Sequence, residues 1–179
     1  MRPSILFEDK ELSSKRGLLI DSLLPIVENF PNFKVRISAA FAMSCVKSRQ
    51  VFGAQFSNVC LAMVRSLDTV HDMSDDDEVQ HRADLVDQLC ITFCHLLSLA
   101  DSKDLEELNK TLIENYSVDT LEQSLKMVAL RISPEKASVM ISVRLQVQEK
   151  LKDNAKLSDY SDDTNCILTI FSNLENVIF

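Results

Sequence analysis

The stretch GLLIDSLLPIVENFPNFKVRISAAFAMS (Gly17–Ser44) decides how the rest of this chain must fold. It contains two amphipathic segments of helical length, Gly17–Phe30 and Asn32–Ser44, separated by one proline. Pro31 ends the first helix because the residue before a proline avoids the helical conformation, and Asn32 is a favourable N-cap for the second. Such a hairpin cannot bury its apolar surface alone, so the sequence predicts further helices packed against it.

The apolar residues of the second helix fall into two stripes. Two stripes mean contact on two sides, which is typical of a helix inside a stack, and the small side chains among them allow close approach. Pro25 lies inside the first helix, where it removes one backbone hydrogen bond and is tolerated if the helix bends around a neighbour. The stripes are Phe33, Ile37, Ala40 and Phe41, and Val35, Ala39, Ala42 and Val46.

Similar periodicity recurs along the chain and predicts seven or eight helices with short connections. Only 2 glycines among 179 residues leave few positions for the turns of a hairpin-rich β fold. We expect residues 1–16 to be an incoming segment or partial helix, residues 17–133 a stack of hairpins, and residues 134–179 the helices that close it. After the first hairpin, helices are predicted at about residues 50–71, 79–100, 102–116, 117–132, from 134 onward, and at 164–178.

One segment has the periodicity of both a helix and a strand. Five apolar residues alternate with other residues, as in a half-buried strand. A lone strand would leave its backbone groups without partners, and the flanking residues are good helix formers. The preceding Ser-Pro-Glu also places Pro134 at the first position of a helix. We therefore predict a helix that contains Val139, Ile141, Val143, Leu145 and Val147.

Charge and cysteine content exclude several classes of protein. The net charge is −8 and the basic residues are scattered, which argues against nucleic acid or an anionic membrane as partner. No apolar run approaches the roughly 20 residues that cross a bilayer, and the first residues do not resemble a secretory signal. The five cysteines lack disulfide spacing and are expected to be reduced core residues of a cytoplasmic or nuclear protein. They are Cys45, Cys60, Cys90, Cys94 and Cys166.

The first hairpin resembles the HEAT-repeat pattern. Pro25 lies within the first helix, Asn32 opens the second, and Val35 and Arg36 follow. The likeness extends over roughly residues 17–115 to the C-terminal part of one member of that family. It implies an all-α solenoid of HEAT/armadillo-like antiparallel helix hairpins, stacked as a right-handed superhelix. It also implies that Asn32 and Arg36 form a ladder between adjacent repeats, with a neutral hydrogen bond because asparagine replaces the commoner aspartate.

Two groups of residues could bind a metal, and each has a structural alternative. Cys90, Cys94 and His95 lie about one helical turn apart, but no CxxC pair accompanies them, and the sequence favours core packing over metal binding. Asp75–Asp77, preceded by His71, lacks the spacing of a calcium loop and is more typical of a solvated connection or of a helix start. Since catalytic and phosphate-binding motifs are also absent from the sequence, we expect no enzyme, cofactor or metal site.

The function expected from these observations is a non-enzymatic scaffold that binds an unidentified protein through a solenoid surface. The chain could itself be part of a longer HEAT-repeat protein. A transport or cargo adaptor of the karyopherin or clathrin-adaptor type is the alternative, although the chain has no tryptophan for the Trp/Asn array of such proteins. Arg36 could face an acidic partner or be structural. The candidate contact residues are Pro25, Asn32, Lys34, Val35 and Arg36.

Overall fold

The computed structural model describes residues 4–70, 79–116 and 134–152, together with Ile167. All regular structure in these ranges is helical, as the sequence predicts, and they contain no strand. The described ranges contain six α-helices, and the connection between the second and third contains the 3₁₀ turns Arg49–Val51 and Gly53–Gln55. The helices are α1 (Ser4–Asn29), α2 (Phe33–Ser44), α3 (Phe56–Thr69), α4 (Val79–Leu99), α5 (Ser102–Asn115) and α6 (Pro134–Lys152).

Several predicted features lie outside the described residues. These are the acidic connection that begins at His71, the helix predicted at 117–132, and Cys166. The helix predicted at 164–178 is described only at Ile167, which is helical and buried.

The segment of mixed periodicity is a helix, as predicted. Helix α6 begins at Pro134 and packs against α4 and α5. Val143 and Val147, one turn apart, are buried, whereas Leu145 is 57% exposed. Spacing of four residues, and not alternation, therefore decides which side chains of this segment reach the core.

Helix α1 is longer than its apolar pattern predicts. The clear pattern starts at Gly17, but the helix begins at Ser4 and continues through both Gly17 and Pro25. Glycine costs about 1 kcal/mol in a helix interior and proline removes one backbone bond. A helix of 26 residues tolerates both because its other backbone bonds remain in place.

The six helices pack in two layers. Helices α1, α3 and α5 lie side by side in the first layer, and α2, α4 and α6 lie side by side in the second. Successive helices also pack across the layers, α1 on α2, α3 on α4, and α5 on α6. The core runs between the layers and is densest around α3 and α4, where Val59, Cys60, Met63, Leu85, Leu89, Phe93 and Leu97 are all buried.

The buried face of α2 differs from the two predicted stripes. The buried residues lie at spacings of three and four on a single face, and Phe41 is 56% exposed. The two-stripe prediction is wrong because a charged residue, Arg36, lies on that face, and a pattern built from apolar residues leaves it out. The buried residues are Phe33, Arg36, Ala39, Ala40 and Met43.

The last turn of α1 is held by side chains of the next two helices. In a continuing helix the Val27 carbonyl would accept the N–H of residue 31, but Pro31 has none. The carbonyl instead accepts hydrogen bonds from Arg36 Nε of α2, at 2.8 Å, and from Ser66 Oγ of α3, at 2.9 Å. Both side chains are at most 1% exposed. One carbonyl oxygen therefore joins three helices, and the Arg36 charge lies near the negative end of the α1 dipole.

We expect Ser66→Ala to cost about 1 kcal/mol of unfolding free energy and Arg36→Met about 2 kcal/mol. The double variant should cost about 1 kcal/mol more than the sum, because only then does the buried Val27 carbonyl lose both donors. Urea unfolding followed by circular dichroism measures all three. Lys34→Met, at an exposed position of the same helix, should change stability by less than about 0.5 kcal/mol. Additive losses would show that the two donors do not share one acceptor.

Candidate functional site

The candidate contact residues of the first hairpin occupy two environments. Pro25, Asn32, Lys34 and Val35 are exposed, whereas Arg36 is 1% exposed and lies beneath the surface. Asn32 is the N-cap of α2, as predicted, with its Oδ1 accepting from the Val35 N–H at 3.3 Å. Burial lowers the pKa of Arg36 from its ordinary value. These contacts of Asn32 and Arg36 lie within the hairpin, whereas the HEAT resemblance implies a ladder between repeats.

Large apolar side chains are exposed on both helices of this hairpin and in its turn. Leu18 and Leu19 of α1 are 65% and 60% exposed, and Phe41 of α2 is 56% exposed. Phe30 in the turn and Val35 are exposed to a smaller degree. Single exposed apolar residues are ordinary on folded proteins, and five of them lie on this one hairpin. We call Leu18, Leu19, Phe30, Val35 and Phe41 the hairpin surface.

A cavity of about 320 Å³ lies where the first-layer helices end. Its lining comes from the last residues of α1, the last two turns of α3, and the residue that follows α5. The carboxyl ends of the three helices therefore meet at one edge of the fold, which follows from their parallel arrangement in the layer. The lining residues are Glu28, Asn29, Arg65, Asp68, Thr69 and Tyr116.

Arg65 is the cationic member of this lining, and its contacts define one side of the cavity. Its guanidinium donates to Asn115 Oδ1 at 3.1 Å and lies 3.6 Å from Glu28 Oε1. It also forms a side-chain hydrogen bond with Tyr116. Burial raises the pKa of Tyr116 to about 12, and the negative charges of Asp68 and Glu28 add to that rise. Arg65 opposes this rise in the pKa, and the phenol is neutral at physiological pH.

A second polar cluster joins the two 3₁₀ turns to α5. Arg49 binds the Asp104 carboxylate through two nitrogens, with Nε donating to Oδ2 at 2.7 Å. The same guanidinium donates to the Gly53 carbonyl at 2.6 Å and lies 4.5 Å from the ring centroid of Phe56. This cation–π contact and the two-point ion pair fix the connection that leads into α3.

Asp104 also belongs to the cap of α5. Asp101 Oδ1 accepts the backbone N–H groups of Lys103 and Asp104, and Asp104 Oδ2 accepts the N–H of Asp101, which completes a capping box. Burial by itself raises the pKa of Asp104, but the hydrogen bonds from Arg49 and Asp101 and the nearby cationic charges outweigh it. The pKa of Asp104 therefore lies below its ordinary value, and the carboxylate is ionised at neutral pH. The cluster therefore fixes the start of α5 against the connection that leads into α3.

Lys150 of α6 closes the end of α4. Its Nζ donates to the carbonyl of Ala100 at 2.8 Å and to that of Ser98 at 3.0 Å. The hydroxyl of Ser102 donates a hydrogen bond to the backbone carbonyl of Lys150 at 3.2 Å. Burial lowers the pKa of Lys150, with the charges of Asp101 and Asp104 opposing that effect. A cation at a helix carboxyl end is stabilising, so this lysine links α6 to α4 within the second layer.

Cys90 and Cys94 of α4 are buried in the core, whereas His95 is partly buried. Burial raises the pKa of Cys94 to about 12 and that of Cys90 well above its ordinary value, so both thiols are protonated at neutral pH. His95 Nε2 is 2.6 Å from the Val46 carbonyl and joins α4 to the residues that follow α2. Within the described ranges no three His, Cys, Asp or Glu side chains form a metal-sized group.

Cys45 departs from the prediction that every cysteine is a core residue. It is the exposed C-cap of α2, since the helix ends at Ser44 and the expected apolar stretch does not continue through it. The described cysteines Cys45, Cys60, Cys90 and Cys94 are all free thiols.

None of the helices in the described part of the chain is both long enough and apolar enough to cross a bilayer.

Comparison with known proteins yields distant similarity to proteins that include an uncharacterized one. No family model and no solved structure matches the chain. A putative uncharacterized protein of Dictyostelium discoideum is 31% identical over 86 residues, which are 48% of this chain. The chain spans about 6% of the length of that relative. Because the relative is itself uncharacterized, the similarity supplies no activity, substrate or partner.

Asp104→Asn should destabilise the fold by about 1–3 kcal/mol at pH 7, because it weakens both the Arg49 pair and the capping box. The pKa of Asp104 is lower in the folded state than in the unfolded state. The carboxylate therefore stabilises the fold above its unfolded pKa, and this contribution is lost as the pH falls from about 5 through the folded pKa. Urea unfolding at a series of pH values should show a shallower acid loss in Asp104→Asn than in the wild type. Glu106→Gln, two residues along α5, should retain the wild-type slope, and identical slopes in all three proteins would refute the assignment.

Alkylation should separate the cysteines by exposure. With iodoacetamide at pH 8, Cys45 should react at least tenfold faster than Cys60 and Cys94, because burial leaves those thiols protonated and inaccessible. Peptide mass spectrometry of quenched time points measures each rate, and urea should make the rates similar. Early modification of Cys94 in the folded protein would contradict its burial.

Proposed function

We propose that this chain is part of a HEAT- or armadillo-like solenoid and acts as a non-enzymatic scaffold for protein–protein interaction. The observation that carries the proposal is the order of packing, in which alternate helices form each layer and successive helices pack across the layers. A chain of stacked helix hairpins requires this order, because each hairpin buries its apolar face only against its neighbours.

The spacing of the first-layer helices supports the same proposal. Helices α1, α3 and α5 end at Asn29, Thr69 and Asn115, so they recur after 40 and then 46 residues. HEAT and armadillo units repeat at roughly 40–47 residues. The unit length and the packing order are independent features, and both favour a stack of repeats.

The polar groups of the described core favour a scaffold over an enzyme. Arg36, Ser66 and Thr92 bind backbone carbonyls of neighbouring helices, and Asp104 binds Arg49 and a helix cap. Each of these buried groups therefore has a structural partner that accounts for its position. The free thiols of the described cysteines also favour a reducing compartment, the cytoplasm or the nucleus.

The proposed contact with a protein partner is the hairpin surface, with Lys34 beside it. Its leucines and phenylalanines are the kind of side chain that loses most water when a partner helix covers them. Arg36 is not part of this contact, because it is 1% exposed. Substitution of such a buried residue changes the stability of the fold and does not test partner binding.

The experiment is a quantitative affinity capture with tagged chain, in which bound proteins are measured by mass spectrometry. We expect Leu19→Ser combined with Phe41→Ser to lose the captured partner at least fivefold. The matched control, Val139→Ser combined with Leu145→Ser, removes two exposed apolar side chains of α6 and should retain it. Circular dichroism should show that both variants are folded. Equal capture by the wild type and both variants would reject the hairpin surface as the contact.

A further inference from the structure

We draw no further inference here: the strongest candidate, the hairpin surface of exposed apolar side chains on α1, α2 and the turn between them, belongs to the contact already proposed, and nothing in the described part of the chain shows whether a second copy, a further helix hairpin or another protein covers it.

Discussion

The fold depends on the carbonyl oxygen of Val27, which proline leaves without its usual donor at the end of α1. Pro31 makes the tight turn into α2 possible, and it also removes the backbone N–H that would have closed the preceding turn. Arg36 and Ser66 supply the missing donors from two other helices. A buried carbonyl that went unbonded would cost about 1–3 kcal/mol, so the same residue that shapes the turn requires the three helices to assemble.

The arrangement of the helices in two layers determines where the helix ends lie and which side chains can bind them. Side-by-side helices within a layer run in one direction, so their dipoles add along an edge where antiparallel neighbours would have cancelled them. In the second layer Lys150 binds the end of α4. In the first layer Arg36 and Ser66 bind the end of α1, and Arg65 lies beside the cavity. Side chains of neighbouring helices therefore bind helix ends in both layers.

Local signals in the sequence were sufficient for the starts of α2 and α6, whereas the start of α1 and the tertiary contacts could not be predicted from them. Asn32 was recognisable as a cap because a cap acts on residues two or three positions away. The pair of Arg49 and Asp104 spans 55 residues, and a single sequence carries no sign that links such distant positions. The order in which the helices stack and the position of the cavity could not be predicted for the same reason, since each is made by helices that are far apart in the chain. The sequence left open whether Arg36 lies on the surface or in the core. Only the packing of α1, α2 and α3 decides between these two positions.

The bonds from Lys150 to α4 have a consequence for synthesis of the chain on the ribosome. The acceptor at Ala100 and its donor are separated by 50 residues. At roughly 5–20 residues per second, the lysine follows its acceptor by roughly 3–10 s. During that interval water is the partner of the last carbonyls of α4, and the α4 face that later receives Val143 and Val147 is uncovered. The nascent chain therefore passes through a state with an unfinished second layer, which is when a chaperone would have its longest access to α4.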